Sequence, residues 1–387
     1  MLAFKLAFKN LIGAGLRTWL NVAVLSFAFV LIIFYNGMID GWNRQGIRDT
    51  IEWEIGQGQF WHPQYDKYDP YTIQDSHSEL SEEVNSEIRK GNLTPILISQ
   101  ATLYPEGRVQ SALLKGIDPN QNILKLPTVD LVNIQDEYAA IIGKRMAETT
   151  RLKVGDKVLV RWRDKNGTFD AREIKIASIF KCDVPSADNG QVYISLPVLQ
   201  KMTNMENQAS ILVTGENFSE TKIENWIFKD KDFLLSDLTN IIKSKRAGGI
   251  ILEGILLIIA LLAIFDTQVL SIFRRQKEIG TYIALGLTRK QVVGIFTVEG
   301  GAHSILAALL GATYGIPLFI WLDTIGISFG TQDMGITVAE TIYPYYSIGL
   351  ILSTLILVVV AATIVSYIPA RKIAKMKPTD ALKGKLQ

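Results

Sequence analysis

Arg274-Arg275-Gln276-Lys277-Glu278-Ile279-Gly280-Thr281-Tyr282-Ile283-Ala284-Leu285-Gly286-Leu287-Thr288-Arg289-Lys290-Gln291 is a basic, helix-favouring stretch standing between two apolar runs. It lies too far from either end of the sequence to be a tail. A segment of this kind, ordered between two apolar runs, needs something to hold it. Positive charge alone would suit any connection between membrane spans, but Glu278-Ile279-Gly280 and Ala284-Leu285-Gly286 add small and apolar residues that suit a docking surface. Thr288 followed three residues later by Gln291 matches a capping box, which would start the next helix cleanly.

The runs on either side fix the class of the chain. Of its 387 residues 48% are hydrophobic and 20% charged, with a mean hydropathy of +0.20. That balance fits several membrane spans joined to one sizeable water-exposed domain. Four apolar stretches are long enough to cross a bilayer at about 1.5 Å per residue. The expected organisation is a basic, amphipathic segment 1–19; spans at 20–39, 248–273, 292–322 and 347–367; an outer domain 40–247; the segment 274–291; a loop 323–346; and a tail 368–387. The fold class is a four-helix transmembrane bundle with a large α+β extracytoplasmic domain inserted between the first and second spans. Residues 2–19 suit either a helix along the membrane face or a simple basic flank. The first apolar run is long for a signal peptide and no small-x-small site follows it, which marks an uncleaved anchor.

Lys and Arg near the span ends orient the chain. With both termini in the cytoplasm, fourteen such residues fall inside and five outside, and Asp323–Tyr345 carries none. The net charge of +2 gives no field suited to nucleic acid. A single cysteine, Cys182, excludes an intrachain disulfide.

Within 40–247 the pattern alternates between extended and helical pieces. Tyr65–Tyr71 reads as a loop and Ser78–Lys90 as an exposed helix. Thr94–Ser99, Ser111–Ile117, Ala139–Ile142 and Gln191–Ser195 read as strands. Asp156–Trp162 and Phe169–Phe180 read as a pair joined by a turn at Asn166-Gly167. Pro197–Met202 and Ser219–Phe228 read as helices, and the sheet order stays open. Leu234–Arg246 has helical spacing and runs towards the second span, so a continuous rod is expected, with a bend at Gly248-Gly249. Gly311 and Gly315 form a small-residue helix-contact pattern in the third span.

Sites with chemistry of their own are scarce. There is no GxxxxGK[ST] loop, no HExxH and no CxxC. His62 and His77 stand near Asp66, Asp69 and Asp75, but with irregular spacing, so no metal site is assigned. No catalytic group is assigned either. Asp266, Glu299 and His303 are ionisable residues inside spans, and such residues are functional candidates by default.

The sequence Arg275-Gln276-Lys277-Glu278-Ile279-Gly280, with Ala284-Leu285-Gly286, resembles the coupling segment of the FtsX/MacB-like permeases, the type VII ABC transporters. Pro369-Ala370, Ala374, Pro378 and Ala381-Leu382 resemble the C-terminal signature of that family. Glu299 matches a glutamate common at the start of its third span. The order of spans and outer domain extends the resemblance over nearly the whole chain. In the outer domain Gly116-Ile117-Asp118-Pro119, Ile142-Gly143-Lys144-Arg145-Met146-Ala147 and Leu152-Lys153-Val154-Gly155-Asp156-Lys157-Val158 look like the lipoprotein-releasing permeases LolC and LolE. Two departures stand out. MacB carries its ATPase on the same chain, whereas this sequence has no such motif. LolC-type chains have an extended chaperone-recruiting loop where Arg163–Asp170 is here a tight hairpin.

The resemblance implies a permease in the bacterial inner membrane, paired with a second permease, identical or related, and driven by a separate ABC ATPase that binds ATP and Mg. No cofactor is expected on this chain. Arg274, Arg275, Lys277, Glu278, Ile279, Gly280, Ala284, Leu285 and Gly286 would meet the ATPase. Phe27, Val30, Leu31 and Phe34 would line a cleft for a lipoprotein or another amphiphile, with a periplasmic chaperone or adaptor as a further partner. Two alternatives accompany this reading: a MacB-like exporter of peptides or amphiphiles, and an FtsX-like regulator of a cell-wall hydrolase.

Overall fold

The computed structural model describes residues 15–132, 138–218, 222–328 and 341–372. Of the described residues, those up to 43 and those after 240 form one compact unit, and 44–240 form the other. Most of the leading basic segment, and the tail from residue 373, lie outside the described residues.

Among the described residues, the unit 44–240 is built on a nine-stranded sheet. Its strands are β1 (Gln59–Trp61), β2 (Leu93–Leu103), β3 (Gln110–Ile117), β4 (Ala139–Gly143), β5 (Lys157–Arg163), β6 (Phe169–Phe180), β7 (Gln191–Ser195), β8 (Ile211–Thr214) and β9 (Ile227–Lys229). Their order is β9-β1-β8-β2-β3-β7-β4-β6-β5, and β5 also pairs with β2 through Ala101–Trp162, Thr102–Arg161 and Leu103–Val160. The last pairing closes six strands into a barrel. β2 is long enough to serve both parts: its first residues pair with β8 and its last with β5.

The period of two along each strand sorts side chains to two cores. Leu97, Leu103, Leu114, Ala140, Ile142, Val158, Val160, Trp162, Ile176 and Val192 fill one. Ile96, Ile98, Ala139, Ile141, Phe180 and Tyr193 face the other, which Ile55, Leu234 and Leu235 complete. Trp162 meets its polar need by donating Nε1–H to the Met202 carbonyl at 2.8 Å. Cys182 is buried here, and burial pushes its thiol up to about 12.

The β5–β6 turn is a type I turn followed by a left-handed glycine. Gly167 N–H donates to Asp164 O at 3.0 Å, and Gly167 has φ 84°. The Asp164 carboxylate accepts from Thr168 N–H and Asn166 N–H at 2.8 and 2.9 Å, which holds its pKa below the usual carboxylate range.

Ser219–Phe228 does not form the expected helix. Residues 219–221 lie outside the described residues, and Ile227–Lys229 is a strand paired with β1. Asn225 takes a left-handed φ of 66° and Trp226 is buried, so the segment turns and then joins the sheet. His62 and His77 are engaged locally: His62 Nδ1 accepts from Gln64 N–H, and His77 Nδ1 lies 2.6 Å from Gln208 Oε1. Asp66 and Asp69 accept from the backbone of Tyr68 and Tyr71. No metal-holding group occurs among the described residues.

The helical unit consists of α1 (Gly15–Thr50, which continues into the other unit), α2 (Ser236–Arg274, which begins there), α3 (Gln276–Ala284), α4 (Arg289–Ile325) and α5 (Ile348–Ala370). Among the described residues four helices are long and apolar enough to cross a membrane, all of these but α3. They extend past the expected spans; α2, for example, is one uninterrupted helix of 39 residues. Gly248-Gly249 therefore makes no break. The physical reason lies on α1: a Cβ at Gly249 would stand 2.1 Å from Tyr35 Cε1, so glycine admits the ring. Gly311 and Gly315 work the same way, facing Val30 of α1, with Ser26 Oγ 2.9 Å from Tyr314 OH beside them.

Candidate coupling site

The helix α3 is defined by its two ends. Arg275 leaves helical geometry (φ −100°, ψ 20°) between α2 and α3. At the other end Gly286 has φ 96°, its N–H donates to Ile283 O at 3.1 Å, and Leu287 N–H donates to Tyr282 O at 3.1 Å. Those two bonds form a Schellman motif, the ordinary reason for a glycine just past a helix. Thr288 then caps α4: its hydroxyl accepts from Gln291 N–H at 3.3 Å while Gln291 Oε1 accepts from Thr288 N–H at 2.8 Å. The two helices thus meet across a turn of minimal length.

Packing divides α3 into two faces. Ile279, fully buried, joins Ile272, Val292, Val293, Phe296 and Ala370 in an apolar cluster, and Tyr282, Ile283 and Leu287 pack against it. Gly280 is buried beside Ile279. The outward face carries Lys277, Glu278, Thr281 and Ala284, and it ends at Leu285, which is 76% exposed. Of the nine candidate coupling residues, six (Arg274, Lys277, Glu278, Ala284, Leu285 and Gly286) are on the surface. Ile279 and Gly280 seat the helix.

Arg275 is held by three neighbours. Nη1 donates to Glu299 Oε2 and Oε1 at 3.0 and 3.2 Å, and Nε donates to Glu278 Oε2 at 2.7 Å. Its guanidinium lies 5.0 Å from the Phe296 ring centroid. Glu299 is 5% exposed. His303 does not pair with the Glu299 carboxylate; its Nδ1 lies 2.8 Å from the Glu299 carbonyl. Asp266 is on an exposed face of α2. Sequence reasoning missed Gln268 and Ser366, both buried, with Gln268 Oε1 and Ser366 Oγ lacking a hydrogen-bond partner among the described residues. Polar residues inside apolar runs were the available signal.

Of the four cleft candidates, one lines the apolar groove described below. Phe27 is 59% exposed, Val30 is buried, and Leu31 and Phe34 are half-buried. The helical unit does contain an apolar groove of about 610 Å³, and Val30 lines it. Its companions there are Phe29, Ile33, Leu309, Phe319 and Leu355, so the groove uses the neighbouring stripe of α1.

These features are those of a polytopic membrane protein: four long apolar helices, a large β-rich domain between the first two, and a short amphipathic helix between the second and third. Residues 250–378 match the FtsX-like permease C-terminal family. An uncharacterized ABC transporter permease of Methanocaldococcus jannaschii is 26% identical over 268 residues, 64% of this chain and 63% of that protein. The lipoprotein-releasing system transmembrane protein LolC of Xylella fastidiosa is 25% identical over 332 residues, 76% of this chain and 78% of that protein. The macrolide export ATP-binding/permease protein MacB of Burkholderia lata is 26% identical over 159 residues, 39% and 21% of the two chains. Among solved structures, the extracellular domain of the noncanonic ABC-type transporter YknZ from Gram-positive bacteria matches with a TM-score of 0.29 and 15% identity, over 45% of this chain and 98% of that one.

Proposed function

We propose that this chain is the membrane subunit through which an ATPase on a separate chain, using ATP and Mg, drives motion of the domain 44–240, and that its cargo is a lipoprotein drawn from the outer leaflet of the inner membrane. The observation that carries the reading is the outward face of α3. An exposed leucine at the tip of a short, capped, charge-flanked helix is poorly suited to water and well suited to a groove on a partner. Both termini lie in the cytoplasm in this reading, as the distribution of Lys and Arg favours. A second permease, identical or related, completes the assembly.

Two observations support the lipoprotein. The relative named for lipoprotein release aligns over 76% of this chain, the macrolide exporter over 39%. Extraction of acyl chains costs about 0.8 kcal/mol per CH₂ exposed to water, and the groove lined by Phe29, Val30 and Ile33 offers an apolar shelter of about 610 Å³. A MacB-like exporter working with an adaptor, and an FtsX-like regulator of a hydrolase, are the competing readings.

The test is substitution of the outward face in the intact complex. Leu285→Glu and Lys277→Glu are expected to abolish co-purification of the ATPase while leaving the permease folded by thermal melting. Retention of ATPase by both variants would overturn the docking assignment. Mass spectrometry of what co-purifies with the wild-type complex decides the cargo: acylated proteins support the reading, and non-acylated peptides or small amphiphiles alone refute it.

A further inference from the structure

The joint between α2 and α3 falls on a single residue, Arg275. Its N–H still donates to Ser271 O at 3.0 Å, and its carbonyl still accepts from Ile279 N–H at 2.9 Å. The junction is therefore a bend between two helices, not a loop. Bends of this kind absorb displacement, because one residue's dihedral angles can change while both helices stay intact.

The side chain of the same residue works against such movement. Arg275 reaches 24 positions along the chain to both oxygens of Glu299, at 3.0 and 3.2 Å. Glu299 lies on α4 among Val292, Val293 and Phe296, all buried. A carboxylate in that setting is costly without a counter-charge, and removing either residue takes a charge-assisted bond from the other. Apolar contacts around Ile279 would hold α3 close to α4 but would tolerate sliding. A charged bond made to two oxygens fixes direction as well as distance. Glu278, bonded to Nε and itself exposed, links this arrangement to the outward face.

We propose that Arg275 is a positioning residue: with Glu299 as its buried counter-charge, it pins the bend to α4, so that α3 and α4 move as one body. As a fastening of α3 this stands by itself. As part of a route for force it rests on the reading that α3 docks an ATPase.

Hydrogen exchange on the full chain in lipid nanodiscs reads the fastening directly. Glu299→Gln is expected to raise exchange of the Gln276–Ala284 amides by about ten-fold while α5 keeps its protection. Arg275→Gln, which keeps a polar side chain but removes the cation, should do the same. The reversed pair, Arg275→Glu with Glu299→Arg, is expected to recover most of the lost protection, which a merely space-filling role does not predict. Unchanged exchange in both single variants, or a reversed pair no better than either, overturns the proposal. If the exchange results hold while Leu285→Glu still co-purifies the ATPase, the fastening stands and the docking assignment falls.

Discussion

Gly286 shows how one residue can govern a surface. Its φ of 96° is open to glycine and strained for any residue with a Cβ, although no atom lies within 4 Å of where that Cβ would be. Gly286→Ala should therefore cost about 1–2 kcal/mol through backbone strain alone. The strain falls on the Schellman bonds that place Leu285, so ATPase binding by the complex should weaken by roughly ten-fold in a titration. Binding equal to wild type would show that the tip of α3 is not part of the contact. The Ala-Leu-Gly signature was legible in the sequence because the turn chemistry is local. The partner of Glu299 was not. Spacing placed His303 one turn away, but the residue that reaches the carboxylate is Arg275, and a span's sequence does not say which neighbouring element meets its buried charge.

At the scale of elements, glycine placement explains the helix contacts. Gly249→Leu would drive a side chain into Tyr35, whose ring already lies within 2.1 Å of the Cβ position. Overpacking of this kind costs about 1–3 kcal/mol, and the variant should melt several degrees below wild type in detergent. A melting temperature unchanged by the substitution would mean that α1 and α2 do not make this contact. The same pair of glycines weakens a helix in isolation, yet α2 runs through it unbroken. Tertiary contact with Tyr35 outweighs that weakness. The Gly311-to-Gly315 pattern signalled close approach of helices, and the structure supplies the partner, Val30 of α1 in the same chain. Segment 219–228 was misread for the opposite reason: its composition suits a helix, but β9 is three residues long and draws its order from pairing with β1.

For the molecule as a whole, the test is sidedness. Val109 and Leu285 are both exposed, and the proposed orientation puts them on opposite sides of the membrane. A membrane-impermeant maleimide should label Val109→Cys in intact spheroplasts and label Leu285→Cys only after lysis. Native Cys182 stays silent in this assay, being buried with its thiol pushed up to about 12. Labelling of Leu285→Cys alone in intact spheroplasts would reverse the orientation, and labelling of both would place them on one side. The strands of the 44–240 unit could largely be placed from alternation and turns, but their order could not. The pairings that close the barrel, β2 with β5 and β3 with β7, join segments far apart in sequence, and alternation records only which face is buried. Closure also limits how anything could attach to this domain. A partner peptide that binds by adding a strand needs an open sheet margin. The described ladder ends at β9 on the far side from the barrel, so an extended guest has three residues, Ile227–Lys229, to grip there, and any firmer hold must come from side chains.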